Sequence, residues 1–309
     1  MEKLILGDAI EELKKIENET IDLCLTDPPY FLDKMDHKWD NAKLDKRTKS
    51  QTIKHLSGGM KFSKEQGIQL YNWFLEVSKE IHRVLKPGGF FFSFSYPRLF
   101  HRMVCSMEDA GFEIRDLLAW IYTLSLPKAM SLNHFVKNNK VMNEEEKIRF
   151  TEEIKNLKTP MLKNCFEPIC VAQKCIEGTY IENFRKYKTG LINVSVKIGN
   201  NKFPSNVIST EEIFEVLDSF FLIEKPNKKE KGDFNKHKTV KPINICKYII
   251  SLTTTKNAIV LDPFCGSGTT LVASKILGRN FIGIDINEEN LEITKKRIEN
   301  YLQKSKNLV

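Results

Sequence analysis

The chain has 309 residues, room for one large α/β domain with an insertion or for two small domains. Hydrophobic residues make up 41% and charged residues 28%, which excludes the disordered and membrane-embedded classes. The net charge of +8, from 48 Lys and Arg against 40 Asp and Glu, admits a polyanionic partner without requiring one.

The N-terminus, Met1 to Leu4, carries no long apolar region of the kind a secretory signal needs. Seven cysteines, an odd number, suggest reduced thiols, and with the missing signal they point to a cytoplasmic protein. Cys165, Cys170 and Cys175 lack the close pairs of a zinc site, so no metal is expected.

Leu4–Leu6 reads as a short buried strand, and Ile10, Leu13 and Ile16 follow at helical spacing. Ile21–Thr26 is a second strand, stopped by Asp27-Pro28-Pro29-Tyr30. Residues 31–64, with nine Lys or Arg and four Asp, read as an irregular polar loop. Ile68, Tyr71, Leu75, Ile81 and Leu85 mark a long amphipathic helix closed by Lys86-Pro87-Gly88-Gly89. Phe90–Ser95 is a strand, 99–110 a helix, and Leu117–Tyr122 and Pro168–Ala172 are further strands. Residues 142–158 read as a charged, solvated helix. The segment 178–236 mixes strand-like pieces with Gly, Asn, Pro and Lys. A strand–helix rhythm returns after Pro242: a helix, a strand Ala258–Leu261, a glycine turn, a helix Thr269–Leu277, a strand Asn280–Ile284 and a last helix. Such alternation predicts an α/β fold with a mainly parallel, doubly wound sheet and a middle insertion.

Two constellations carry chemistry. In Asp262-Pro263-Phe264-Cys265-Gly266-Ser267-Gly268-Thr269, Gly266 and Gly268 let a ligand approach the backbone and free the N–H groups of a helix start. The next strand ends at Asp285, 19 residues beyond Gly266, where such folds place a ribose acceptor. Without the full G-x-G-x-x-G or a G-K-[ST] ending, a dinucleotide and a P-loop are disfavoured. The glycine turn alone is equally consistent with a tight connection; Asp285 tips the reading towards a nucleoside. Asp27–Tyr30 lies at the carboxyl end of a strand, where open sheets bind ligands. An Asp beside a proline carbonyl can accept both hydrogens of an exocyclic amino group, and the Tyr ring can stack on a base. By itself, such a tetrapeptide reads as a strand-ending turn.

Asp27–Tyr30, Asp262–Thr270, Phe281–Asp285 and His237–Pro242 together resemble the motifs of the SAM-dependent amino-methyltransferases of DNA, in the order of the beta class. The likeness extends to Arg83–Gly89 and Phe166–Lys174. It implies a permuted Rossmann-like sheet in which the chain begins at a mid-sheet strand and the cofactor half comes from the C-terminus. The implied layout is a catalytic half at 1–177, a target-recognition region at 178–236 and a cofactor half at 237–309. The cofactor is then S-adenosyl-L-methionine, with Asp8 near its adenine, Thr239 and Lys241 near its methionine end, and Asp262, Phe264, Gly266, Gly268, Thr269 and Asp285 completing its site. Asp27, Pro28, Pro29 and Tyr30 become the catalytic residues. The activity implied is transfer of a methyl group to adenine N6 of a flipped base in double-stranded DNA. Cytosine N4 is the nearest alternative, and a non-catalytic nucleic-acid-binding module is the alternative of another class. Lys238 departs from the proline often found at its place, and Asp285 from a common Glu. Arg185, Lys186, Lys188, Lys202 and the run at 225–241, with seven Lys against two acids, become phosphate contacts. The resemblance also leaves room for a homodimer and for a cognate restriction endonuclease as partner.

Overall fold

A computed structural model describes residues 1–30, 64–122, 129–196, 203–209, 221–222, 226, 228–231, 235 and 240–306. The polar stretch 31–63, Lys202, and the segment 236–239 with His237, Lys238 and Thr239 lie outside the described residues.

The first strand, β1 (Glu2–Leu6), leads into a short helix, α1 (Ala9–Leu13), capped by the Asp8 side chain. β2 (Ile21–Thr26) is buried along its whole length, as a central parallel strand covered on both faces must be. α2 (Lys64–Val84) runs straight into β3 (Leu85–Phe94). The buried stripe of α2 is Leu70, Phe74, Val77, Ile81 and Val84. It is offset from the predicted one, since Ile68 is exposed and the Tyr71 hydroxyl bonds Asp109 at 2.5 Å. Lys86-Pro87-Gly88-Gly89 belongs to the strand rather than to a connecting loop.

After α3 (Phe100–Asp109) come β4 (Glu113–Ile121), α4 (Asn133–Lys137), α5 (Glu144–Glu153), β5 (Phe166–Gln173), α6 (Tyr180–Tyr187), β6 (Val207–Ser209), β7 (Phe221–Leu222) and α7 (Lys228–Lys231). The last part holds α8 (Ile243–Thr253), β8 (Ile259–Asp262), α9 (Thr269–Ile276), β9 (Asn280–Asp285) and α10 (Glu288–Lys306). α6 is additional to the predicted elements. It is an N-capped helix in which Thr179 and Glu182 cap each other reciprocally.

The sheet order is β1-β9-β8-β2-β3-β5-β4-β6-β7. From β1 to β3 all neighbours are parallel, while β5 runs antiparallel to β3. The doubly wound, mainly parallel α/β fold is therefore present. One detail differs from expectation: the chain begins at an edge of the sheet, and β2 lies inside it between β8 and β3. From β8 the chain winds through α9 to β9 on one side, and from β2 through α2 to β3 on the other. The seam between β8 and β2 is thus the switch point, where ligands bind outside the carboxyl ends of the strands. Leu13, Ile21, Cys24, Phe74, Val77, Ile81, Phe91, Met103 and Phe112 form the core beneath α1, α2 and α3. Helix α9 packs against both α8 and α10.

The chain divides into two compact units, one of residues 1–120 and 167–309, the other of residues 121–166. The second unit falls inside the stretch that the resemblance assigns to the catalytic half. Within it, α5 has a capping box of Asn143 and Glu146 and buries no residue, in keeping with a solvated helix. Among the described residues, no helix is long and apolar enough to cross a membrane. None of their His, Cys, Asp and Glu side chains cluster as metal ligands.

Candidate active site

Asp27, Pro28, Pro29 and Tyr30 leave the carboxyl end of β2 at the switch point. The Tyr30 hydroxyl donates to Asp27 Oδ1, and the Lys241 ammonium bonds Asp27 Oδ2. Both oxygens of the carboxylate are thereby held. The same ammonium lies 3.4 Å from Glu167 Oε2, 5.1 Å from the Phe94 ring centre and 5.8 Å from that of Tyr30. Tyr30 in turn stacks near Tyr96, with ring centres 6.5 Å apart and 27° between planes. Lys241 is only 8% exposed. Burial pushes its pKa down, but Asp27 and Glu167 outweigh that and raise it, so the side chain stays charged.

The resemblance places Lys241 near the methionine end of the cofactor, and the structure places its ammonium on Asp27 at the same strand edge. Lys241 is buried just ahead of Pro242, the N-cap of α8, which directs its ammonium onto the Asp27 carboxylate. Glu167 joins it through topology. β5 is antiparallel to β3, with Phe94 opposite Ile169, so the start of β5 lies at the edge where β2 and β3 end. Sequence reasoning covers Glu167 only within a resembling segment. Its one local signal is a charge between Phe166 and Pro168 at the head of an apolar strand.

The glycine turn lies one strand away. Gly266 and Gly268 both adopt positive φ, at 50° and 76°. A Cβ on Gly268 would sit 2.4 Å from Thr294 Cγ2, so only glycine fits there. The turn is fixed from behind. Thr294 Oγ1 donates to the Gly266 carbonyl at 3.0 Å, and Arg297 Nη1 donates to the Ser267 carbonyl at 2.6 Å and to Thr269 Oγ1 at 3.1 Å. Arg297 is 2% exposed. It is a buried anchor hidden in the sequence inside Lys295-Lys296-Arg297, although it falls three residues after Thr294 on the inward side of α10.

Asp285 ends β9, and its Oδ2 accepts from the Gly266 N–H at 2.8 Å. Its Oδ1 accepts from the Asn287 N–H, also at 2.8 Å. β1 pairs with β9 so that Leu6 faces Asp285, which brings Asp8 to the same edge. The Asp8 carboxylate caps α1 through the N–H groups of Ile10 at 3.0 Å and Glu11 at 3.4 Å. Asp262 is buried. Its Oδ1 accepts from Thr26 Oγ1 at 2.7 Å and from the Phe264 N–H at 3.2 Å. Burial pushes its pKa up to about 7 against the pull of those donors. Asp262 therefore braces the turn from inside. Phe264 packs on Trp73, with ring centres 5.4 Å apart. The fold thus gathers Asp8, Asp262, Phe264, Gly266, Gly268, Thr269 and Asp285 at two adjacent strand ends and the start of α1, beside Asp27–Tyr30.

A nucleoside-bearing sulfonium fits the chemistry of this donor set: two carboxylates on neighbouring strand ends, and a glycine turn opening a helix N-terminus. Cys265 is buried, and burial pushes its thiol well up. Among the expected phosphate contacts, Lys186 is paired with Glu177 at 2.7 Å, and the Lys188 ammonium lies 5.5 Å from the Phe184 ring centre.

Comparison with known proteins finds relatives along most of the chain. Type II methyltransferase M.HindIII of Haemophilus influenzae is 29% identical over 306 residues, covering 94% of this chain and 93% of its own. DNA adenine methyltransferase YhdJ of Escherichia coli strain K12 is 27% identical over 298 residues, covering 96% and 82%. The crystal structure of the M1.HpyAVI–SAM complex superposes with a TM-score of 0.52 at 20% identity, over 96% of this chain and 98% of that one. The family model described as DNA methylase matches residues 21–296, from the first residue of β2 into α10. The chain belongs to the DNA methylase family.

Proposed function

We propose that this protein is a site-specific DNA methyltransferase that places a methyl group on adenine N6, with S-adenosyl-L-methionine as donor. The observation that carries the reading is the Thr26–Asp262 hydrogen bond, which joins the strand ending in Asp27 to the strand opening the glycine turn. Acceptor and donor sites are thereby held side by side at the switch point.

When bound, S-adenosyl-L-methionine supplies an electrophilic methyl group. Asp285 and Asp8 are the residues to hold its nucleoside, and the turn from Phe264 to Thr269 is to face its remaining polar groups. Thr239 stays in this set as a proposal from resemblance. The target base must leave the duplex to reach Asp27, and Tyr30 with Tyr96 offers an aromatic wall against which it stacks. An aromatic amine is a weak nucleophile because its lone pair is delocalised into the ring. Hydrogen bonds from the amine to Asp27 and the Pro28 carbonyl localise that pair and aim it. For the amine to bind, the Tyr30 hydroxyl gives up Asp27 Oδ1. On methylation the nitrogen releases one proton, and Asp27 is the group placed to receive it.

The region 178–236 is assigned to target recognition, with its basic residues on phosphates. A cognate restriction endonuclease and a homodimer are further parts of the proposal, tested by co-purification and light scattering. The functional test is incubation of DNA with labelled donor, followed by digestion and nucleoside mass spectrometry. N6-methyladenine is expected. N4-methylcytosine would overturn the base assignment, and no methylated base would overturn the reading.

A further inference from the structure

From Gly266 to Gly268 every carbonyl of the glycine turn accepts a bond from within the chain. Thr294 Oγ1 donates to Gly266 at 3.0 Å, Arg297 Nη1 to Ser267 at 2.6 Å and the Val272 N–H to Gly268 at 2.9 Å. Arg297 Nη1 donates as well to Ser267 Oγ at 3.0 Å and to Thr269 Oγ1 at 3.1 Å, and both of these residues are buried. A guanidinium has donors and no acceptor, whereas a hydroxyl has one proton and two lone pairs. Arg297 therefore occupies lone pairs of both hydroxyls and leaves both protons to be donated. Among the described residues neither hydroxyl donates to a protein acceptor. The N-cap of α9 is Gly268, with no side chain to bond the first N–H groups of that helix. The turn thus has its acceptors filled, and its donors are open at Ser267, Thr269 and the start of α9. Arg297 spends only Nη1 on this, for its Nε and Nη2 are buried without a partner. Unpaired buried donors are costly, so packing alone is a poor reason for an arginine here.

We propose that Arg297 is a positioning residue for the methyl donor, turning the Ser267 and Thr269 hydroxyls into hydrogen-bond donors for the carboxylate of its amino-acid end. This rests on the reading of the site as a methyltransferase that uses S-adenosyl-L-methionine. The ligand chemistry follows from the polarity of the bonds. Asp285 presents acceptors, which suit the hydroxyls of a ribose. The turn presents donors at the start of a helix, which suit an anion. Of the polar groups on S-adenosyl-L-methionine, the carboxylate is the anionic one, and it accepts without donating. Strand ends of opposite polarity therefore set which way round the methyl donor lies. Arg297 acts through the two hydroxyls and need not touch the ligand.

The test is titration calorimetry of the full chain with S-adenosyl-L-methionine and with its decarboxylated form, which differ in the carboxylate alone. Thermal midpoints are measured alongside. Wild type is expected to prefer the carboxylate-bearing form at least tenfold. Arg297→Met keeps the length of the side chain and loses its donors. It is expected to bring that preference below threefold. Ser267→Ala removes one hydroxyl and keeps the arginine, so it carries the test where Arg297→Met does not fold. It is expected to cut the preference at least threefold. A brace with no part in ligand recognition would weaken both forms alike. An unchanged preference in Arg297→Met, or in Ser267→Ala where the Met variant does not fold, therefore overturns the proposal. A wild type that binds both forms equally overturns it too. A wild type that binds neither defeats the functional reading with it.

Discussion

The Thr26 hydroxyl donates a 2.7 Å hydrogen bond to Asp262, 236 residues along the chain. One residue immediately precedes Asp27, the proposed catalytic residue, and the other ends β8 before the glycine turn. Because Asp262 also accepts from the Phe264 N–H, a single buried carboxylate sets the exit direction of both strands. Methyl transfer demands reacting atoms held near contact in line, and this brace supplies that constraint from beneath the site.

The brace has a pH signature. Burial raises the Asp262 pKa to about 7 in the folded chain, above the ordinary carboxylate value of 3.8. A raised acid pKa contributes stability fully below the unfolded value and loses it as pH climbs through the folded one. Wild type should therefore lose stability through this group between about pH 4 and pH 7. One pKa unit corresponds to about 1.4 kcal/mol, so the loss is on the order of a few kcal/mol. Asp262→Asn keeps an acceptor for Thr26 and Phe264 but does not titrate. Urea unfolding at pH 5 and pH 8 should show the variant gaining on wild type at the higher pH. An equal difference at both would remove the effect.

Gly268→Ala should damage the turn. The residue sits at φ 76°, and the added methyl would meet Thr294 at 2.4 Å. Left-handed backbone and overpacking together cost about 2–5 kcal/mol. Calorimetry should find donor binding abolished along with part of the stability. A variant with wild-type midpoint and affinity would refute the steric argument.

Asp285→Ala should weaken donor binding. It removes the acceptor for a ribose and the bond that holds the Gly266 N–H. Loss of a hydrogen bond to a charged group costs about 1.5–3 kcal/mol, roughly ten- to hundredfold in affinity. Unchanged affinity by titration calorimetry would take Asp285 out of the site.

The parts legible in the sequence are those whose signal is local. β2, β8 and β9 are short apolar runs that end at or just before Asp27, the glycine turn and Asp285, so periodicity locates these strand ends, and the resemblance gives their residues the proposed roles. What escapes is set by distant packing. Glu167 reaches Asp27 only because β5 turns antiparallel beside β3, and no spacing along the chain encodes that. The resemblance singles out Lys241 from its basic run, but its pairing with Asp27 appears only in the fold. Arg297 hides among lysines until its burial is seen. The predicted stripe of α2 is offset because Ile68 and Tyr71 satisfy the helical period while Leu70, Phe74 and Val77 face inward. The separate unit at 121–166 has no composition shift to announce it.

The basic stretch around α7 carries a salt-dependent expectation. Neutralising Lys228, Lys229 and Lys231 should weaken binding to DNA of any sequence. It should also reduce the slope of log affinity against log salt, by about 0.9 for each phosphate that is no longer neutralised. An unchanged slope would return these lysines to the role of solvated charges.

The central claim is that Asp27 prepares the amine while the C-terminal strands hold the methyl donor. Asp27→Ala separates the two most directly. Single-turnover transfer from labelled S-adenosyl-L-methionine, with nucleosides identified by mass and donor affinity measured on the same preparation, should give N6-methyladenine from wild type. The variant should give no product at nearly unchanged donor affinity. Full transfer by Asp27→Ala would contradict the account.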